Sequence, residues 1–398
     1  MARAFLVVMD SVGIGGAPDA GAYFNNGHPD TGANTLAHVA RACGGLHLPH
    51  LDGLGLGAAL DLASGETAPG LGAVPAGLWG AATERSHGKD TTSGHWELAG
   101  VPVPFEWHRF GDTEPAFPPE LVEAVKRAAG TSGILGNRRA SGTEIIEELG
   151  HAHMRSGWPI CYTSADSVFQ VAAHEERFGL TRLLALCREI APMLHEMRVG
   201  RVIARPFRGD EPHGFTRTAN RRDFSMRPPA PTLCDWVRSA GGRVHAIGKI
   251  GDIFAMQGID DVATGPDSEL MAHLSRMVAT AEPGSLTFAN FVEFDSLYGH
   301  RRDAAGYGAA LERFDAGIGA ILPHLGAGDL MIVTADHGND PTWRGTDHTR
   351  ECVPVLVAGG GRGGIGRVGF VDVAASVAAH LDLAQAGPGR SFLPRGTS

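Results

Sequence analysis

Carboxylates and imidazoles recur in this sequence where apolar runs end, and together they are suitable ligands for divalent zinc or manganese. The run Leu330-Met331-Ile332-Val333-Thr334 leads into Asp336-His337-Gly338-Asn339-Asp340, and His348 follows eleven residues after His337 across a loop rich in Gly, Thr and Asp. The apolar stretch from Ala4 to Met9 ends at Asp10 and the turn Ser11-Val12-Gly13-Ile14-Gly15-Gly16. A third stretch, Ser285 to Phe294, ends at Asp295, with His300 five residues on. Taken singly, each acid is as readily a turn former, since Asp is common in turns. Taken together, Asp10, Asp295, Asp336, His300, His337 and His348 make six nitrogen and oxygen donors at the ends of short, buried-type strands. In a parallel sheet those ends share one edge, where open α/β sheets bind ligands. Six donors suffice for two divalent ions, and two ions about 3.5–4 Å apart clamp the attacking and leaving oxygens of an in-line phosphoryl displacement.

Such a site needs a nucleophile. The segment Gly88-Lys89-Asp90-Thr91-Thr92-Ser93-Gly94-His95-Trp96-Glu97 is dense in hydroxyls and punctuated by glycine. A polar surface turn would read the same way in isolation. A threonine hydroxyl is a weak nucleophile at its own pKa and requires a base or a metal, so the ligand set and Thr91 account for one another. A P-loop is excluded, because no G-x-x-x-x-G-K-[ST] occurs. Lys249, just after the strand-like Arg243 to Ile247, and several arginines would offset the acids. The residues thus point to metal-dependent phosphoryl or sulfuryl transfer through threonine, without separating a phosphatase from a mutase.

These groups have to be positioned by alternating strands and helices, which predicts an α/β fold with a mostly parallel central sheet flanked by helices. Helical patterns cover Ala33 to Cys43, 267 to 280, Gly306 to Leu322 and Val371 to Leu381. Around Val101 the texture changes to proline and aromatics. A helix from Glu120 to Ala129, a capping-box start at Ser141-Gly142-Thr143-Glu144, a strand at Pro159 to Thr163 and a helix from about Thr181 to Met197 follow. The expected organisation is a discontinuous core, 1–100 and 223–398, with a smaller α/β (α+β) cap inserted at 101–222. Arginine forks suit phosphate, and Arg201 and Arg205 lie in the insert. The chain of 398 residues carries 34 Lys and Arg against 44 Asp and Glu, a formal charge of −10, which argues against nucleic-acid or membrane-surface binding. Five scattered cysteines form no C-x-x-C and fit a reducing cytoplasm. No leader or long apolar run is evident, so secretion and membrane insertion are not expected.

Several long motifs, in order, resemble the phosphopentomutases of the alkaline-phosphatase-like metalloenzyme superfamily. They are residues 8–15, 88–97, 162–168 (Tyr-Thr-Ser-Ala-Asp-Ser-Val), 200–207 (Gly-Arg-Val-Ile-Ala-Arg-Pro-Phe), 299–303 (Gly-His-Arg-Arg-Asp), 334–341 and 345–351 (Gly-Thr-Asp-His-Thr-Arg-Glu). The resemblance implies an alkaline-phosphatase-like core with an inserted cap and two Mn²⁺, one held by Asp295, His300 and His348, the other by Asp10, Asp336 and His337. It implies a phosphorylated Thr91 and interconversion of ribose 1-phosphate with ribose 5-phosphate, and of the 2-deoxyribose pair, through a pentose 1,5-bisphosphate that also primes the enzyme. Asp166, Arg201, Arg205 and Lys249 become substrate contacts, and no protein partner is implied. Ser93, Glu293 and Arg222 stand where the family more often has Thr, Asp and His, which bears on the choice of pentose more than on the reaction. A phosphohydrolase of the same superfamily, a specialised phosphosugar mutase, and a cofactor-independent phosphoglycerate mutase are the alternatives. The last typically uses a serine nucleophile.

Overall fold

The structure is a computed structural model that describes residues 2–164, 167–210, 212–384 and 387–394. Two compact units emerge, residues 1–104 with 228–398 and residues 105–227. The first is built on an eight-stranded sheet in the order Asp261–Ala263, Val244–Ile247, Leu286–Phe291, Arg3–Met9, Asp329–Thr334, Val353–Ala358, Leu78–Thr83, Gly363–Gly369. Only Val353–Ala358 runs against its neighbours, and the other five pairings are parallel. The expected mostly parallel α/β architecture is therefore the one observed. The central strands are buried along almost their whole length, as parallel strands covered on both faces must be. Helices Asp267–Thr280 and Phe370–His380 pack on the sheet.

The arrangement of three strands matters most. Arg3–Met9 lies between Leu286–Phe291 and Asp329–Thr334, parallel to both, with Met9 opposite Phe291 and Val8 opposite both Asn290 and Thr334. The residues that follow Met9, Phe291 and Thr334 therefore leave the sheet side by side. Asp10 and Asp336 emerge directly. Asp295 does not end its strand as expected. The strand stops at Phe291, and Asp295 sits in a π-helical turn, Phe294–Gly299, marked by His300 donating its amide to Asp295 O at 3.0 Å. Single π turns of this kind often occur at functional sites.

The second unit has strands in the order Arg222–Ser225, Arg201–Asp210, Val168–His174, Ile160–Thr163, Leu135–Arg139, with Gly214–Arg217 paired to Arg201–Asp210. Helices Pro119–Ala129 and Leu180–Glu196 cover a core that includes Phe117, Phe169, Leu121, Leu183 and Leu194. Its edges fall a few residues later than the expected 101 and 222. Val101 and Val103 are buried, and Val103 N donates to Ser86 Oγ at 2.9 Å, which keeps this stretch with the first unit. At the return, Arg222–Ser225 is a strand of the insert's own sheet and not a linker. Ser141 does precede a helix, Gly142–Ser156, but its side chain makes no cap and pairs with Thr143 Oγ1 at 3.1 Å instead. The glycine-rich strand Gly363–Gly369 was not anticipated, since it has almost no β-branched signal.

One contact sets the approach to the π turn. Asp267, first in its helix, and Glu293 exchange amide bonds: Asp267 N donates to Glu293 Oε1 at 3.3 Å, and Glu293 N donates to Asp267 Oδ2 at 3.2 Å. Burial, then the neighbouring Glu293 charge, pushes the Asp267 carboxyl up to about 7. Between about pH 4 and that value the folded protein keeps a proton that the unfolded chain has lost. The group's contribution is complete below about pH 4 and is lost as pH rises through about 7. Asp267→Asn is expected to be more stable than the parent at pH 8, by on the order of a few kcal/mol, and to converge on it only below about pH 4. A difference that stays constant in thermal melts across this range would refute the assignment.

Candidate metal centre

The six donors meet at this edge. On one side, Asp295 Oδ2 lies 3.2 Å from His300 Nε2, His300 Nε2 lies 3.2 Å from His348 Nε2, and His348 Nε2 lies 3.3 Å from Asp295 Oδ1. On the other, His337 Nε2 is 3.6 Å from Asp10 Oδ1 and 3.3 Å from Asp336 Oδ2. His337 also groups with Asp295 and His348, all three ligand atoms lying within 4.8 Å of one another, so it stands between the two halves. All six side chains are buried except that of His300, which is partly open.

Each imidazole is aimed by its other nitrogen. His300 Nδ1 donates to Thr346 O at 2.7 Å, His348 Nδ1 to Lys89 O at 2.8 Å, and His337 Nδ1 to Gly338 O at 3.1 Å. A carbonyl can only accept, so these bonds assign the Nδ1–H tautomer and turn every Nε2 lone pair toward the centre. The acids are aimed likewise. Ser11 N, on a residue with φ 72°, donates to Asp336 Oδ1 at 3.0 Å; Asn290 Nδ2 donates to Asp10 Oδ2 at 2.9 Å; Asn339 Nδ2 donates to Asp295 Oδ1 at 2.7 Å.

The donor set fits divalent metal. The buried atoms Asp10 Oδ1 and Asp336 Oδ2 have no hydrogen-bond partner; His95 Nδ1 is 3.1 Å from the latter but engages Thr91 O at 2.8 Å. Two lone pairs, on His300 Nε2 and His348 Nε2, face each other at 3.2 Å. Donors about 2.0–2.2 Å from a tetrahedral ion stand roughly 3.3–3.6 Å apart, close to the spacings found here. The charges are strained accordingly. Burial, then the charges of Asp336 and Asp295, push Asp10 well above the carboxylate range. Burial also opposes ionisation of Asp295, but His348 and His300 outweigh it and hold that carboxyl well below its usual value. At Asp336, His337 and His95 outweigh burial in the same way, and burial lowers His337.

Thr91 opens the helix Thr91–Leu98, capped by Asp90 through Ser93 N at 3.1 Å. Its Oγ1 lies 3.2 Å from His337 Nε2, and it occupies the positive end of the helix, where negative charge is favoured. The preceding loop is pinned hard. Buried Arg350 donates to Gly88 O at 2.6 Å, to Asp19 Oδ2 at 2.9 Å and to the Glu84 carboxylate; Lys89 Nζ donates to Asp30 Oδ2 and Phe24 O, each at 3.0 Å. Glu97, fully buried, accepts from Arg85 N, Ser86 N and Ser86 Oγ.

The structure therefore brings Asp10, Asp295, His300, Asp336, His337, His348 and Thr91 together. Lys249 is exposed beyond the strand Val244–Ile247, and its charge acts on Asp10. Arg201 and Arg205 belong to the second unit. There Arg201 Nη1 is 3.9 Å from Asp223 Oδ2, and Arg205 Nε donates to Gln170 Oε1 at 3.0 Å. Asp166 lies outside the described residues. Sequence reasoning did not find Asn290, Asn339, Arg302 or Arg350. The two asparagines are neutral residues among apolar or turn residues, and only their adjacency to the ligands in space distinguishes them.

A family model described as the metalloenzyme superfamily matches residues 2–385. A phosphopentomutase of Chelativorans sp. is 56% identical over 410 residues, covering 99% of this chain and 98% of that one. One of Methylobacterium nodulans is 54% identical, covering 99% and 100%. Among solved structures, a Leishmania mexicana phosphoglycerate mutase matches with a TM-score of 0.48 at 13% identity, covering 99% of this chain and 98% of that one.

Gly94 is where the helix Thr91–Leu98 meets the edge that carries the six donors. A Cβ there would fall 2.2 Å from Asp336 O and 2.9 Å from Asp336 C, and backbone cannot yield as a side-chain tip can. Gly94→Ala is expected to push Thr91 away from His337. A displacement of about 1 Å lowers a positioned reaction on the order of 100-fold, with metal content measured by elemental analysis unchanged. Full activity in a folded Gly94→Ala protein would contradict this packing.

Proposed function

The chain belongs to the phosphopentomutase family, whose members are isomerases, and on that premise we propose that it interconverts ribose 1-phosphate and ribose 5-phosphate, and the 2-deoxyribose pair, by phosphoryl exchange through Thr91. The observation that carries the reading is the Thr91 hydroxyl 3.2 Å from His337 Nε2, inside the ring of six donors. Asp295, His300 and His348 would hold one divalent ion and Asp10, Asp336 and His337 the other; Mn²⁺ suits their mixed oxygen and nitrogen character. Bound there, two such cations supply charge neutralisation for the phosphoryl oxygens and for the oxygens that attack and leave.

The residues' own part can be followed bond by bond. Starting from phospho-Thr91, the 5-hydroxyl oxygen of ribose 1-phosphate bonds to phosphorus, the bond from phosphorus to Thr91 Oγ1 breaks, and the proton lost by the 5-hydroxyl is balanced by the one the departing Thr91 oxygen takes up. The product is ribose 1,5-bisphosphate and a free Thr91. Attack by Thr91 Oγ1 on the 1-phosphoryl group then releases ribose 5-phosphate and restores phospho-Thr91. A bisphosphate that escapes leaves the enzyme unphosphorylated, so catalytic amounts of it serve as primer. Thr91 Oγ1, 3.2 Å from His337 Nε2, would lie beside the ion that His337 holds, and the helix start favours the phosphoryl charge.

We assign contacts with the substrate to Arg201, Arg205, Lys249 and Asp166, the arginines being suited to phosphate. In support, Arg205 is half-buried, and burial together with the charges of Arg221 and Arg217 disfavours its cation, a situation a phosphate would relieve. Among the described residues no helix is long and apolar enough to cross a membrane. All five cysteines are unpaired, which suits a cytoplasmic setting.

The first test is product identity. With Mn²⁺, ribose 1-phosphate and a trace of sugar bisphosphate, phosphorus NMR should show ribose 5-phosphate from the parent and none from Thr91→Ala. Inorganic phosphate in its place would identify a hydrolase. The ligand assignment is checked separately by metal analysis: Asp295→Ala and His348→Ala should each lose close to one ion per chain, and undiminished metal in both variants would defeat it.

A further inference from the structure

Arg302 has no role in the reaction just described, yet its side-chain bonds converge on the supports of one half of the metal centre. Its three guanidinium nitrogens reach five oxygens on three separate stretches. Nε donates to Gly345 O at 2.6 Å and Nη2 to Asp347 O at 3.3 Å. Nη1 lies within bonding distance of Gly299 O at 3.2 Å, Asn339 Oδ1 at 2.8 Å and Asp340 O at 2.8 Å. Each acceptor borders a ligand or its support. Gly299 precedes His300. Gly345 and Asp347 flank Thr346, whose carbonyl holds His300 Nδ1, and Asp347 precedes His348. Asn339 takes the Arg302 bond on its oxygen and passes its amide to Asp295 Oδ1 at 2.7 Å. The backbone of Arg302 is left-handed, with φ 58°. A non-glycine residue is rarely left there unless its surroundings hold it.

The side chains of Asp10, Asp336 and His337 are aimed by groups to which the Arg302 side chain makes no bond: Ser11 N, Asn290 and Gly338 O. From this division we infer that Arg302 is a positioning residue that sets the affinity of the Asp295–His300–His348 half selectively. A planar fork with five donors can span three stretches at fixed angles, whereas a lysine ammonium with three donors on a flexible stem cannot. Losing a partner that orients a metal ligand costs about 10–100-fold in metal affinity. The inference rests on the two-ion reading of the site, and its test separates the two.

Metal-free protein is titrated with Mn²⁺ alone, following unbound ion by electron paramagnetic resonance, for the parent, Arg302→Lys, Asn339→Ser and His300→Ala, with a thermal melt of each metal-free protein. The parent should bind two ions. Arg302→Lys should weaken one by about 10–100-fold, keep the other within about twofold, and barely change the metal-free melt. Asn339→Ser should weaken the same ion, and it decides alone if Arg302→Lys does not fold. In the double variant with His300→Ala, the Arg302 effect should disappear, because both act on one ion. Two unchanged affinities in Arg302→Lys, or equal weakening of both ions with a lowered metal-free melt, would overturn the inference while leaving the two-ion reading intact. A parent that binds no Mn²⁺ would defeat that reading and the role of Arg302 with it.

Discussion

Repulsion among buried carboxylates at one sheet edge governs this structure. Asp10 and Asp336 place ligand oxygens within 4.8 Å of each other, and Asp295 groups with the same His337. Two charges at that distance repel by about 3–4 kcal/mol at an effective dielectric near 20, before the cost of removing each from water. Against a total folding stability of about 5–15 kcal/mol, such a cluster has to be balanced. The protein supplies part of the balance through amide donors from Ser11, Asn290 and Asn339. Part is left undone: Asp10 remains pushed toward its protonated form, and buried oxygens on Asp10 and Asp336 have no hydrogen-bond partner. That remainder is the electrostatic driving force for taking up cations.

The same need explains how firmly the surroundings are built. An ion pair network of Arg350, Glu84, Asp19, Asp30 and Lys89 lies mostly buried next to the loop that leads into Thr91. Arrangements of this kind contribute little net stability, since desolvation offsets most of the Coulomb gain. What they do contribute is position. Arg350 fixes Gly88 O, Lys89 lends its carbonyl to His348, and Asp90 caps the helix that begins with Thr91. One short segment thus carries the Thr91 hydroxyl and orients the His348 imidazole, so the hydroxyl and the centre cannot drift independently.

Much of this was legible before any coordinates. Acids and histidines after apolar, strand-type runs are visible at Asp10, Asp336 and His337, because strand residues are fixed by a two-residue period and the next residue necessarily leaves the sheet. Asp295 shows where that reasoning thins. The apolar pattern continues through Phe294, so the strand looked longer than it is; a π turn has no hydrophobic period of its own, and only the hydrogen bond from His300 N to Asp295 O reveals it. Gly363–Gly369 was missed because pairing to Leu78–Thr83, and not residue preference, makes it a strand. Arg302 and Asn339 were invisible as positioning groups. Their partners are backbone carbonyls and an amide up to 45 residues away, and nothing in a linear pattern encodes which carbonyl a guanidinium will find.

Backbone strain follows the same division of labour. Ser11 and Arg302 are among the few non-glycine residues with positive φ, at 72° and 58°, and each adjoins the centre. Ser11 directs its amide to Asp336 on one half, and Arg302 directs its side chain to the supports of the other. Left-handed conformations at such residues cost on the order of 1–3 kcal/mol, a cost a turn far from function would shed by substituting glycine. At Ser11 glycine would keep the amide but lose the hydroxyl that pairs with Tyr307 at 3.0 Å. At Arg302 it would lose every contact the side chain makes. In both places the side chain and the strained backbone are needed together, which is why the strain persists where the ligands are aimed.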